Sequence, residues 1–420
     1  MKLSDIAVSY AEKISDEKIS KMFVQCFMST FETTVQLEDD GSCFVITGDI
    51  PAMWLRDSSA QVNHYVPFAK DCEEAYKVIR GLIQRQMNCI LNDAYANAFN
   101  REANGLGHQK DKTDMSPYVW ERKYEIDSLC YPVKLAYCFW KEAKTTSHFT
   151  DETRKAFYRI VELWTLEQNH QNSSYYFSRP RRRKSDTLSH KGKGSPVKYT
   201  GMTWSGFRPS DDSCIYGYLV PANMFAYVVL GYISEIAEEI YKDDELKSKA
   251  EKLRSEIQDG IEKFAILKDK DGKSFYAYET DGKGNYNLMD DANVPSLLSL
   301  PYLGYCSSDD ELYKNTRSFI LGKSNPYYYE GEKAKGIGSP HTPKDHIWPI
   351  ALSMQGLTSD DKDEILSLIR TLADTDADTG FMHESFHKNN PQKFTREWFS
   401  WANTLFAELI IKYLSVGGKL

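Results

Sequence analysis

The sequence predicts an all-α protein, a ring of six helix pairs or (α/α)6 toroid, and three observations carry that expectation. Two kinds of segment alternate along the 420 residues. One is a charged amphipathic helix opened by Ser, Thr or Asp. The other is a loop dense in Trp, Arg, Asp, Gly and His that runs into an apolar helix with few charges, which reads as buried on all sides. Each kind occurs six times, at a spacing of roughly 70 residues, the period of a helical repeat without sequence identity between units. An irregular all-helical protein of two domains is the alternative. No linker or low-complexity tract divides the chain, so residues 1–420 are expected to form a single domain.

The charged helices are expected over residues 3–35, 71–91, 150–168, 243–264, 308–321 and 359–372. The polar loops are Gly48 to Ser58, Trp120 to Asp127, Trp204 to Asp212, Met289 to Pro295, Ser339 to Pro349 and Thr395 to Trp401. In four of them Pro132, Pro221, Pro295 or Pro349 follows the polar residues. Proline suits the first turn of a helix, where its missing N–H costs nothing. The polar residues are therefore placed at one common end of every inner helix. Short strands are expected at residues 43–46 and in a hairpin over 273–288 whose turn is Thr280 to Gly284.

Composition narrows the partners. With 60 acidic against 52 basic residues and a net charge of -8, the chain is wrong for nucleic acid or an anionic membrane and suits a neutral substrate. The run Arg179 to Lys184 is basic but short, and reads as a solvated loop. No apolar stretch approaches the ~20 residues of a membrane span, and the first residues, Met1 to Ile6, enter a charged helix rather than an export signal. The eight cysteines lack CxxC spacing. They read as reduced thiols in the cytoplasm, with no zinc site. Aromatic residues make up 13% of the chain. A cleft that stacks sugar rings would use that excess, although aromatics also fill cores.

The gathered loops supply carboxylates, aromatics, Arg and His. That inventory suits glycosidic hydrolysis, which needs one protonated carboxyl for the leaving oxygen and one carboxylate for water or the anomeric carbon. No nucleophile elbow, phosphate loop or dinucleotide fingerprint competes. The paired acids Asp211-Asp212 and Asp290-Asp291 lack the DDxxD spacing of a magnesium site. The competing readings are another sugar enzyme on the same fold (a lyase, an epimerase or a glucosidase) and a noncatalytic glycan-binding protein.

The blocks GDIPAMWLRDS, VWERKYEIDSLCYP, TGMTWSGFRPSDD, ANVPSLLSLPYL, GIGSPHTP and TREWFSWAN resemble glycoside hydrolase family 125, from about Phe31 to Leu409. The resemblance implies an (α/α)6 fold and a metal-independent, cofactor-free exo-α-mannosidase, mostly specific for α-1,6 linkages and inverting. It implies an α-linked manno-oligosaccharide or N-glycan fragment as partner. Carried onto this sequence, the general acid falls in Arg208 to Asp212, with Asp211 chosen, and the general base in Phe381 to Phe386 as Glu384. Two adjacent carboxylates in a closed pit resist double ionisation, which favours a protonated acid at Asp211-Asp212. Glu397 is the rival base; placed in the first turn of an apolar helix, it reads as structural or substrate-positioning. Trp54, Arg56, Asp57, Arg208, Asp212, Asp291 and His341 are expected to bind the terminal sugar. Ion pairs that tie the loops together are the competing account for them.

Overall fold

The computed structural model describes residues 1–180 and 183–420. Six inner helical elements, Leu55–Val62, Ile126–Ala143, Val220–Ile236, Leu300–Leu303, Pro349–Leu357 and Ser400–Ser415, alternate along the chain with outer helices. The outer set is Leu3–Ala11 with Glu17–Ser29, then Glu73–Asn92, Asp151–Glu167, Asp244–Phe264, Glu311–Ile320 and Lys362–Asp374. Inner neighbours pack on one another, as Leu55–Val62 does on Ile126–Ala143 and that helix on Val220–Ile236. The last inner helix, Ser400–Ser415, returns to pack on Leu55–Val62. This is the expected (α/α)6 toroid. The main hydrophobic core draws on residues from Leu3 to Tyr413, and Ala52, Trp54 and Ala98 form a small separate cluster.

The outer and inner helices begin in different ways. Asp16, Thr150, Asp243, Asp310 and Asp361 each cap an outer helix, their side chains accepting first-turn N–H groups. No inner helix has a side-chain cap; the preceding residues include Trp54, Leu219, Trp348 and Phe399. Their orphan donors go instead to neighbouring backbone: Leu55 N–H to Asn97 O at 3.0 Å, Val220 N–H to Tyr278 O at 2.9 Å and Trp348 N–H to Ile337 O at 3.2 Å. Polar side chains at the mouth are thereby left free for other work.

Ile337 belongs to the hairpin of Tyr328–Glu330 with Lys335–Ile337, Asn97 and Tyr278 adjoin strands, and three small three-stranded antiparallel sheets gather at the mouth. They are Met53–Trp54 with Ala98–Phe99 and Val119–Glu121; Tyr218–Leu219 with Glu279–Thr280 and Tyr286–Asn287; and His346–Ile347 with Ser385–His387 and Asn390–Thr395. The strand at Cys43–Val45 pairs with Val35–Leu37.

Several expectations are corrected. The first helix is two, because Asp16 caps a new one where Ser15 N–H meets the carbonyl of Leu420. Pro221 and Pro349 sit in the first turn, but Pro132 lies inside Ile126–Ala143, whose start is held earlier by the Asp127–Arg56 ion pair. Pro295 precedes the short fifth inner helix, which stops after Leu303 because Gly304 turns left-handed. The Thr280–Gly284 turn does join two strands, whereas Ser274–Tyr276 pairs upstream with Ile266–Lys268. One helix, Val220–Tyr241, is after all long and apolar enough to cross a membrane; most of it is buried in this core. In the basic run, Arg179 is buried against Asp111 and Glu121, each 2.6 Å away, while Arg183 and Lys184 are exposed. Arg181 and Arg182 lie outside the described residues.

Candidate active site

A hollow opens at the end of the toroid where the inner helices begin. Its wall includes Trp54, Arg56, Asp57, Asp211, His341 and Glu384. Six of the nine residues selected from the sequence, both carboxylates of the expected pair among them, thus line one cavity. A larger hollow, beside Gln168, His170, Tyr199 and Tyr218, has no carboxylate in its wall. Acid and base chemistry between carboxylates has no place there.

Asp211 is carried by a tight three-residue connection. Arg208 N–H donates to Asp212 O at 2.8 Å, Asp211 N–H donates to Arg208 O at 2.9 Å, and Phe207 bridges to Ser213. Pro209 enters the turn and Asp211 closes it with φ +69°, a left-handed position usually given to Gly, Asn or Asp. This geometry turns neighbouring side chains toward different partners. Asn97 Nδ2 donates to Asp211 Oδ1 at 3.4 Å, whereas Asp212 is 3.1 Å from His341 Nδ1.

The expected mutual repulsion of Asp211 and Asp212 is not what governs Asp212. Burial raises its carboxyl, but the hydrogen bond and charge of His341 outweigh that and hold it below the ordinary range. His341 responds in the opposite sense: burial depresses the imidazole, yet Asp212, then Asp211 and Glu384, lift it above its ordinary value. His341 therefore feels both carboxylates of the expected catalytic pair at once.

Glu384 stands just before the strand Ser385–His387. Ser385 pairs with Thr395 across the hairpin, and Glu384 N–H donates to the carbonyls of Thr395 and Arg396. Glu384 is 7% exposed, and its carboxylate lies 3.6 Å from Arg396 Nη1. Arg396 also grips Asp49 at 2.5 Å and lies over the Phe399 ring. Glu397, the rival base, is exposed and outside the lining; it precedes a helix that starts only at Ser400, so no first-turn dipole acts on it.

Arg56 and Asp57, in the wall, belong to a buried charge cluster. Arg56 Nη1 donates to Glu125 Oε2 at 2.6 Å and to Asp127 Oδ2 at 3.1 Å, and its Nε is 3.2 Å from Asp57. Its guanidinium also faces the Trp401 ring. Burial lifts Glu125 well above the carboxylate range; Arg56 opposes the shift, while Asp211, Asp127 and Glu121 add to it. Burial likewise pushes Asp127 up to about 6 against the pull of Arg56. Asp57 is raised by burial in the same way. Trp54 Nε1, buried in the wall, has no hydrogen-bond partner among the described residues. The wall thus offers an indole donor, a guanidinium and carboxyls to hydroxyl groups, with aromatic surfaces beside them.

Arg208, Asp212 and Asp291 stand behind the wall rather than in it. Arg208 is paired with buried Glu279 at 2.6 Å, and Asp291 accepts from Ser210 Oγ at 3.0 Å and from Asn293. They brace the Asp211 turn, because each carries a buried charge that needs a partner. Asn97, Lys123, Glu125, Asp127 and Arg396 were not selected from the sequence. Four of the five lie inside polar blocks already singled out by composition; nothing local marks Asn97.

Fold and site together define a class of protein. A six-pair helical ring with carboxylates, tryptophans and arginine in one hollow is the architecture of the (α/α)6 glycosidases. The glucoamylase of Saccharomycopsis fibuligera shares it with a TM-score of 0.62 over 96% of each chain, at 12% identity, a likeness of fold alone. Residues 16–411 match the family of metal-independent alpha-mannosidases, GH125, and the chain belongs to that family. A Streptococcus pneumoniae metal-independent α-mannosidase, solved in a non-productive complex with α-1,6-mannobiose, is 50% identical. It superimposes with a TM-score of 0.96 over 98% of this chain and 97% of its own. The meiotically up-regulated gene 157 protein of Schizosaccharomyces pombe is 39% identical over 96% of this chain and 84% of its own length.

Proposed function

We propose that this α-mannosidase removes terminal α-1,6-linked mannose from the non-reducing end of manno-oligosaccharides or N-glycan fragments, with inversion. Asp211 protonates the departing glycosidic oxygen, and Glu384 takes a proton from the water that attacks the anomeric carbon from the opposite face. The observation that carries the reading is that these two carboxylates, distant in sequence, line one hollow. The α-1,6-mannobiose held by the Streptococcus pneumoniae relative supports the linkage. The buried cluster of Arg56 with Glu125 and Asp127 behind the wall supports exo action, since it leaves no passage there for a longer chain. Eight free thiols, five of them buried, support a reducing compartment such as the cytoplasm as its setting.

The test is hydrolysis of α-1,6-mannobiose in EDTA, followed by proton NMR from the first turnover. Mannose released first as the β-anomer is expected. Initial α-mannose contradicts the single displacement, and no release, with binding retained, favours a glycan-binding protein instead.

A further inference from the structure

We propose that Lys123 and Asn97 are positioning residues for the proton donor: they clamp Asp211 in its left-handed turn with Oδ1 against the wall, so that Oδ2 carries the proton into the hollow. The inference rests on the reading of Asp211 as general acid.

Aspartate enters the left-handed region more readily than most residues, so what distinguishes Asp211 is the contact made to its main chain. That contact is unusual, because Lys123 Nζ donates to the main-chain carbonyl of Asp211 at 2.7 Å. Lys123 is 1% exposed, and its carboxylate neighbours are farther away, Asp186 at 3.4 Å and Glu121 at 3.7 Å. Desolvating an ammonium is costly. Its shortest contact is nevertheless with this one carbonyl, so the position of the Asp211 backbone depends on it.

Asn97 acts on the side chain of the same residue. It is fully buried, and its Oδ1 accepts the main-chain N–H of Lys123 at 3.1 Å, which sets the orientation of the amide. The NH2 group must then face the carboxyls of Glu121 at 3.0 Å, Asp211 at 3.4 Å and Glu125 at 3.5 Å. An oxygen that accepts from an amide N–H is the poorer place for an acidic proton, so the proton belongs on Oδ2. During reaction that proton passes to the glycosidic oxygen as the bond to the anomeric carbon breaks. The electron pair left behind makes Asp211 a carboxylate, whose Oδ1 the Asn97 amide already serves. The two clamps flank paired strands of one sheet, and Asn97 holds Lys123 by its backbone.

The experiment separates help given to proton donation from support of the fold. Asn97→Ala and Lys123→Met are assayed in the full chain on two substrates. One is α-1,6-mannobiose, whose leaving oxygen must be protonated; the other is dinitrophenyl α-mannoside, whose leaving group departs without help. Asp211→Asn is run alongside. Expected are falls in kcat of about tenfold to a hundredfold on mannobiose for both clamp variants. Activity on the dinitrophenyl substrate stays within about threefold, KM changes little, and the alkaline limb of the mannobiose kcat profile moves. Lys123→Arg is expected to recover part of the loss. Equal losses on both substrates, or none on mannobiose, overturn the proposal. If Asp211→Asn itself loses both substrates equally, the general-acid reading falls and takes this inference with it. Selective loss in Asp211→Asn without selective loss in the clamp variants overturns the inference alone. Should Lys123→Met fail to fold, Asn97→Ser and Lys123→Gln put the same question.

Discussion

Arg56 Nη1 lies 2.6 Å from Glu125 Oε2, and both side chains are almost completely removed from solvent. Arg56 lines the hollow and Glu125 stands behind it, with Asp57 and Asp127 on the same guanidinium. Removing one partner of such a cluster leaves buried carboxyls without their cation. Arg56→Met is therefore expected to cost about 3–5 kcal/mol of stability, read from urea unfolding. A loss below about 1 kcal/mol would mean that the carboxyls are neutral without Arg56.

The proton donor is expected to matter to turnover and not to folding. Asp211 lies in a loop and caps no helix, so Asp211→Asn should melt close to the parent while kcat on mannobiose falls about 10²–10⁴-fold. Calorimetric titration with mannobiose should still detect binding. Near-normal turnover would remove Asp211 from the mechanism.

Glu384→Gln tests the other half of the pair. Gln preserves shape and the contact with Arg396, but it cannot accept a proton from water. A loss of similar size is expected, on the dinitrophenyl substrate as well, because attack by water is required whatever the leaving group. Glu397→Gln, at an exposed site outside the lining, should leave kcat unchanged.

The His341–Asp212 pair gives a pH dependence of defined sign. His341 is raised above its ordinary value and Asp212 lowered below its own. The histidine contribution is complete below about pH 6.5 and is lost as pH rises through the folded-state value. The aspartate contribution is complete above about pH 4 and is lost as pH falls through its lowered value. The difference in Tm between the parent and His341→Gln should be widest from about pH 4 to 6.5 and should shrink at either end. A difference that widens toward alkaline pH would contradict the pairing.

Gly48 offers a purely steric test. Its φ is +126°, and an added Cβ would lie 2.7 Å from the Trp398 carbonyl oxygen. Gly48→Ala should destabilise the protein by more than about 1 kcal/mol and disturb the neighbouring wall at Phe399, raising KM.

Much of the scaffold was legible because its signals are local. Thr150 and Asp243 start their helices where expected, through bonds to donors three residues away, whereas Asp310 and Asp361 cap two residues after the expected starts at Ser308 and Ser359. The apolar helix at Val220–Ile236 needs no partner to be recognised as interior. The first helix and Pro132 were misread where a distant contact intervened, the C-terminal carbonyl in one case and the Arg56 pair in the other.

By itself, then, the sequence determined the alternation of outer and inner helices, the common end at which polar loops collect, and six of the residues that line the hollow. Only the tertiary structure decided which charges face that hollow and which brace it. Arg208, Asp212 and Asp291 carry the same side chains whether they meet a sugar or a buried partner. Asn97 reaches Asp211 across 114 positions and Arg56 reaches Glu125 across 69. Helical period and caps are written within a few residues, whereas the pairing of buried polar groups is settled by whichever elements the packed ring brings into contact.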